Sequence, residues 1–194
     1  MVAAVLVLAS SSPYRRTLLE RLLVSFTVFA PNVDERASPG EAPVDTALRL
    51  AAAKARAAAR SHPRALVIGS DQVAVLEGRP LGKPGGHDAA LAQLRRMRGR
   101  VVEFHTAVCL LDAATDTIQI EDVPTTVQFR QFTDAQAERY LRVDTPYDCA
   151  GSAKIEALGI ALVARVESTD PTALIGLPLI TLVRMLESAG IAVP

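Results

Sequence analysis

The run Leu66-Val67-Ile68-Gly69-Ser70-Asp71-Gln72-Val73-Ala74-Val75 constrains this chain more than any other stretch. Aliphatic residues on both sides predict a buried strand that breaks open at its polar centre and then resumes. A carboxylate inside such a run is costly to bury unless it meets a cation, a metal ion or hydrogen-bond donors. Shortly afterwards comes Gly82-Lys83-Pro84-Gly85-Gly86, a glycine-rich turn with one lysine. An acid at a strand interruption and a lysine on the next loop suit a site for an anionic substrate and a metal. The same residues also suit a turn-capping aspartate followed by an unrelated hairpin.

The 194 residues suffice for one domain with a substantial core or for two closely packed lobes. Lys plus Arg and Asp plus Glu number 21 each, so any anion site must be local rather than the product of a general positive field. Aromatic residues make up 4% and Trp is absent, which argues against a base-stacking surface for nucleic acid. Cys109 and Cys149 form no CxxC pattern and the three histidines are scattered, so neither a zinc site nor a disulfide framework is expected. The opening run Val2 to Ala9 is too short for a secretory signal, and no apolar run approaches the roughly 20 residues that span a bilayer. The expectation is a soluble, cytoplasmic protein with neither a nucleic-acid nor a membrane partner.

In chain order, Ala3 to Leu8 reads as a buried strand, followed by Ala9-Ser10-Ser11-Ser12-Pro13-Tyr14-Arg15-Arg16. Ser12 suits an N-cap and Pro13 the first helical position, predicting strand, loop, helix. Hydroxyls, helix-start amides and two arginines there can cradle phosphate, although a capped helix with a solvated arginine pair has the same sequence. No G-x-S-x-G elbow surrounds the serines. Phe26 to Phe29 is a second strand, and Asp34 and Glu35 in the following polar loop suit a metal site with Asp71, or simple solvation as is usual for adjacent loop acids. Asp45 to Ser61 is an alanine-rich helix on which Arg49, Arg56 and Arg60 share one face. Lys54 instead falls beside Leu50, Ala47 and Ala58 on the flank of the apolar side, where it either snorkels or reaches for a specific anion.

Glu77-Gly78 reads as a hairpin turn returning through Arg79 to Leu81. The Gly78 to Pro84 segment is not a P-loop, because three residues rather than four separate its glycines and proline replaces Ser or Thr. A helix over His87 to Met97 precedes two strands, Val101 to Leu111 and Thr117 to Phe129, in a predicted antiparallel hairpin. Thr133-Asp134-Ala135-Gln136 matches a capping box for a helix to about Val143. A small-residue loop, Tyr147 to Glu156, leads to a predicted strand over Ile160 to Val166. Ile175-Gly176-Leu177-Pro178-Leu179 then opens an amphipathic helix to about Ser188.

Five segments in one order, Ala9 to Arg16, Gly69-Ser70-Asp71-Gln72-Val73, Gly82-Lys83-Pro84, Cys149-Ala150-Gly151-Ser152 and Ile175 to Leu179, closely resemble the Maf nucleoside triphosphate pyrophosphatases. The resemblance runs from about Val5 to Ala189. The Ser-Asp-Gln version, the Ala-Gly-Ser segment and Glu156 resemble the 7-methyl-GTP branch, whereas the thymidine/uridine branch carries Asp-Thr at the central strand.

The resemblance implies an α/β fold, with a strongly twisted mixed sheet, flanking helices and two lobes around a cleft. It implies a single domain over residues 1–194, a homodimer, and hydrolysis of a nucleoside triphosphate to monophosphate and pyrophosphate with Mg²⁺ or Mn²⁺. It makes Asp71 the proton acceptor and places Ser10, Ser12, Arg15, Glu35, Lys54 and Lys83 at phosphate- and metal-handling positions, the metal falling to Glu35 and Asp71. It assigns base choice to Tyr14, Gln72 and Glu156. A ring face from Tyr14 and a carboxylate from Glu156 suit the positively charged N7-methylated base. The 7-methyl-GTP branch usually has Trp at the Tyr14 position and the other branch Arg. Two further readings stand beside this one: the same reaction on dTTP and UTP, and a non-catalytic nucleotide-binding regulator of cell division.

Overall fold

The computed structural model describes residues 5–193, and its order of elements begins with alternating strands and helices. β1 (Leu6–Ala9), α1 (Pro13–Glu20), β2 (Phe26–Phe29), α2 (Pro43–Ala59) and β3 (Leu66–Leu76) come first. β1 pairs in parallel with both β2 and β3, so α1 and α2 are the crossover helices that parallel neighbours require. β1 lies between two strands and all four of its residues are buried, which explains its unbroken apolar sequence. The predicted first strand also included Ala3 and Ala4, which lie outside the described residues.

β4 (Arg79–Leu81) returns antiparallel on β3. The two turn residues, Glu77 and Gly78, have φ of 52° and 74°, the left-handed pair that matches the twist of a tight hairpin. α3 (His87–Met97), β5 (Val101–Asp112), β6 (Thr117–Phe129), α4 (Asp134–Asp144), β7 (Val163–Ser168) and α5 (Leu179–Ser188) are the remaining α-helices and strands among the described residues. The sheet is mixed and seven-stranded, ordered β2-β1-β3-β5-β6-β7 with β4 beside β3. α4 opens with the reciprocal Thr133–Gln136 capping box predicted from sequence.

The chain differs from expectation at two elements. β3 does not break at its polar centre. It runs for 11 residues through Ser70 and Asp71, because both side chains find partners inside the fold. The strand expected over Ile160 to Val166 starts only at Val163, after a 3₁₀ segment over Leu158–Leu162. The amides of Ala157 and Gly159 both bond to the Lys154 carbonyl, curling the chain where an extended strand was expected. A Cβ on Gly159 would lie 2.5 Å from that oxygen.

The chain groups into two compact units. The first comprises residues up to Asp71, Thr106–Val123 and residues from Asp170 onward; the second comprises Gln72–His105 and Pro124–Thr169. In the first, α1 and α5 bury Leu18, Leu182 and Leu186 with Leu8, Ile68 and Val108 of the sheet. Side chains alternate across a strand, so Val7, Ala9, Val67 and Gly69 face the opposite side, where α2 packs. Among the described residues no helix is long and apolar enough to cross a membrane.

Candidate active site

The carboxyl ends of β1 and the parallel part of β3 place the polar residues of the first unit. Ala9 is in register with Gly69, so Ser10 follows the end of β1 beside Ser70 and Asp71. The ends of parallel strands are where an α/β sheet offers a ligand both loop amides and helix starts. Ser10 is buried, and its hydroxyl accepts the Ser12 amide at 3.1 Å. Ser12 caps α1 as expected by accepting the Arg15 amide, and Pro13 takes the first helical turn. Tyr14 and Arg15 are thereby held on that first turn.

The Arg15 guanidinium donates from Nε to the Gly176 carbonyl at 2.7 Å. The same carbonyl accepts from Ser70 Oγ at 2.9 Å, so one backbone oxygen aims the arginine and satisfies a fully buried hydroxyl. Gly176 adopts φ +123°, a conformation side-chain-bearing residues rarely take, and that requirement explains the glycine. Burial lowers the pKa of Arg15, opposed by the nearby charges of Asp71 and Glu35.

Lys54 and Asp71 form the centre of this arrangement. Lys54 Nζ lies 2.6 Å from Asp71 Oδ1 and 2.6 Å from Glu35 Oε1. Their residues are 6% and 7% exposed, so the Lys54–Asp71 pair is desolvated, whereas Glu35 reaches it from a half-exposed side chain. Removing one partner of such a pair strands the other charge, at a typical cost of about 3–5 kcal/mol. Gly69 makes the pair possible. A Cβ at that position would stand 2.1 Å from the Ala51 carbonyl and 2.9 Å from the Ala55 amide, both on α2. Without it α2 lies directly on β3, and Lys54, between those two residues, reaches Asp71.

The first unit therefore brings together Arg15, Lys54, Glu35 and Asp71, with Ser10 and Ser12 on the adjoining loop. Asp34 belongs elsewhere: Arg36 binds its carboxylate at 2.6 Å and holds its pKa at about 2. Of the two adjacent acids, only Glu35 joins Asp71 at Lys54. Glu35 and Asp71, both drawn to Lys54, are hard oxygen donors of the kind a divalent metal takes, so these residues fit such an ion. Among the described residues no three His, Cys, Asp or Glu side chains form a preformed metal cage.

Gln72, Lys83 and Glu156 belong to the second unit. Gln72 follows Asp71 on β3, and Lys83 is exposed on the loop after β4. Glu156 is exposed as a whole residue, yet desolvation of its carboxyl raises its pKa; Lys154 opposes the rise, and Asp144 and Asp148 add to it. Sequence reasoning missed the roles of Ser70 and of the Gly176 carbonyl. Both stood inside the quoted motifs, but the useful atom of Gly176 is one that every residue carries.

The chain matches the Maf-like protein family over residues 5–189. A protein named 7-methyl-GTP pyrophosphatase from Burkholderia thailandensis is 63% identical over 95% of this chain and 87% of its own length. Proteins of the same name from Cupriavidus pinatubonensis and Thiobacillus denitrificans are 59% and 60% identical, over 95% and 97% of this chain and 93% and 94% of theirs. The matched span contains every element from β1 to α5, including the strand ends that carry Ser10 and Asp71, and the chain belongs to the Maf-like protein family.

Proposed function

We propose that this chain is a hydrolase that cleaves 7-methyl-GTP, a modified nucleotide, to its monophosphate and pyrophosphate, a house-cleaning reaction. The observation that carries the reading is the buried Asp71 carboxylate held by Lys54 at 2.6 Å. The names of the similar proteins support the substrate. Lys54 holds the Asp71 carboxylate at Oδ1, and that carboxylate is assigned the proton of a water attacking the α-phosphorus. The new P–O bond forms as the bond from that phosphorus to the bridging oxygen breaks, and pyrophosphate leaves. Base assistance of this kind contributes about 10²–10⁴-fold.

Arg15, with Nε anchored on Gly176, directs its remaining N–H groups to phosphate oxygens. Ser10 and Ser12 hold the loop amides at the start of α1, and Lys83 adds a third cation to Arg15 and Lys54. Glu35 and Asp71 would hold a divalent metal, which when bound supplies charge neutralisation at the phosphates. Tyr14 offers its ring face to the cationic base, Gln72 an amide to the base edge and Glu156 a compensating carboxylate. We take residues 1–194 as one functional domain that works as a cytoplasmic homodimer on free nucleotide.

Pyrophosphate release measured across a panel of triphosphates tests the reading. Preference for 7-methyl-GTP over GTP, dTTP and UTP is expected. Orthophosphate as the product, or equal rates on all four, would overturn it.

The raised pKa of Glu156 gives a pH prediction. Its negative charge disappears on acidification at a higher pH than an ordinary carboxylate's, and its attraction for a cationic base goes with it. KM for 7-methyl-GTP should therefore rise as pH falls through that range, more than KM for unmethylated GTP does. Glu156→Gln should abolish the difference between the two profiles; profiles that still diverge in this variant would remove Glu156 from base recognition.

A further inference from the structure

In the second unit two loops carry residues of the proposed site: Gly82 to Gly86 carries Lys83, and Tyr147 to Glu156 carries Glu156. Their hydrogen bonds converge on one side chain of α3. Gln93 Nε2 donates to the Gly82 carbonyl at 2.9 Å, and Gln93 Oε1 accepts from Ser152 Oγ at 2.6 Å. The amide orientation is unambiguous, because a carbonyl can only accept and so faces the NH₂ end. Ser152 is fully buried and has φ +55°, a left-handed backbone uncommon for a residue with a side chain. Such a conformation persists only where the surroundings over-determine it, and the Gln93 bond holds this hydroxyl.

Two further contacts tie the same loops together. The Gly85 amide donates to the Tyr147 carbonyl at 3.0 Å, with Gly85 at φ +72°. His87, at the start of α3, places Nδ1 3.0 Å from the Tyr147 hydroxyl and Nε2 3.1 Å from Glu138 of α4. The lysine loop and the glutamate loop are thus clamped at Tyr147 and at Ser152.

We infer that Gln93 is a positioning residue that couples the phosphate-handling Lys83 loop to the base-reading Glu156 loop, so that base discrimination depends on the two hydrogen bonds of its amide. The inference rests on the reading of Lys83 and Glu156 given above. Gln93 itself touches neither the reacting atoms nor the base; it acts through Gly82 and Ser152. Loss of either bond frees the Ser152 turn to leave its left-handed conformation and carries the following residues, Glu156 among them, away from their set position relative to Lys83.

The test compares wild type, Gln93→Leu, Ser152→Ala and the double variant, assayed for pyrophosphate release from 7-methyl-GTP and from GTP. The ratio of the two kcat/KM values should fall by about threefold to tenfold in each single variant, the change that corresponds to one lost neutral hydrogen bond. The double variant should fall no further, because both changes remove the same link. Equal losses on both substrates, leaving the ratio intact, or additive effects in the double variant, would overturn the coupling. Hydrogen–deuterium exchange over residues 147–156 provides an arm independent of substrate. Gln93→Leu should accelerate exchange there in the full chain, and unchanged protection refutes the clamp. A wild type that does not distinguish the two nucleotides refutes the substrate reading alone, and the exchange result then still decides for or against the clamp.

Discussion

An Asp71→Asn variant is expected to bind nucleotide and to release pyrophosphate at least about two orders of magnitude more slowly than wild type. The substitution preserves the size of the side chain and an oxygen for Lys54, whose charge keeps Glu35 as its partner, while the proton acceptor is lost. Binding depends instead on cations and amides that the change leaves in place: Arg15 anchored on Gly176, Lys54, and the Ser12-capped start of α1. The measurement is single-turnover pyrophosphate release alongside nucleotide affinity. Wild-type turnover would remove Asp71 from the chemistry. Lost affinity with unchanged turnover at saturation would make it a binding residue.

The largest effect on the fold is expected at Gly69. Its missing Cβ is the space occupied by the Ala51 carbonyl, so Gly69→Ala requires α2 to lift from β3 or β3 to bend. Neither movement is local, since β3 pairs with β1 through this same residue. The variant should lose about 3 kcal/mol of stability or more in denaturant unfolding, at the upper end for overpacking, because the clash is with backbone rather than with a mobile side chain. Activity should fall further than the loss of folded protein explains, because lifting α2 withdraws Lys54 from Asp71. A wild-type midpoint would mean that α2 moves without penalty and that close packing at Gly69 is not what sets the pair.

The sequence was most informative where local rules act alone. The Ser12 and Thr133 caps, the Glu77-Gly78 hairpin turn and the limits of α3 depend on neighbouring residues, and the structure has them as read. Lys54 was legible too. Its place on the flank of α2 follows from helical periodicity, and the same periodicity carries it into the buried side of the helix. For β3 the sequence predicts a break, because a polar Ser-Asp pair inside an aliphatic run looks like an interruption. The reading failed because its two remedies, Lys54 and the Gly176 carbonyl, are supplied by other elements. The 3₁₀ turn at Leu158–Leu162 escaped notice for a similar reason: the hydrogen bonds of Ala157 and Gly159 to Lys154 leave no signature in hydropathy.

By itself, then, the sequence determined the order of strands and helices, the inventory of charges, and the ordered set of motifs shared with one family. Tertiary structure alone decided which acid meets which cation. Asp34 and Glu35 are adjacent and chemically alike, yet one is bound by Arg36 and the other by Lys54. Arg15 is aimed by a carbonyl 161 residues away. Periodicity along one element fixes the face on which a side chain lies, whereas pairing between elements depends on approach distances. At Asp71, the acid in the middle of the aliphatic run, that approach depends on the absence of a single Cβ at Gly69.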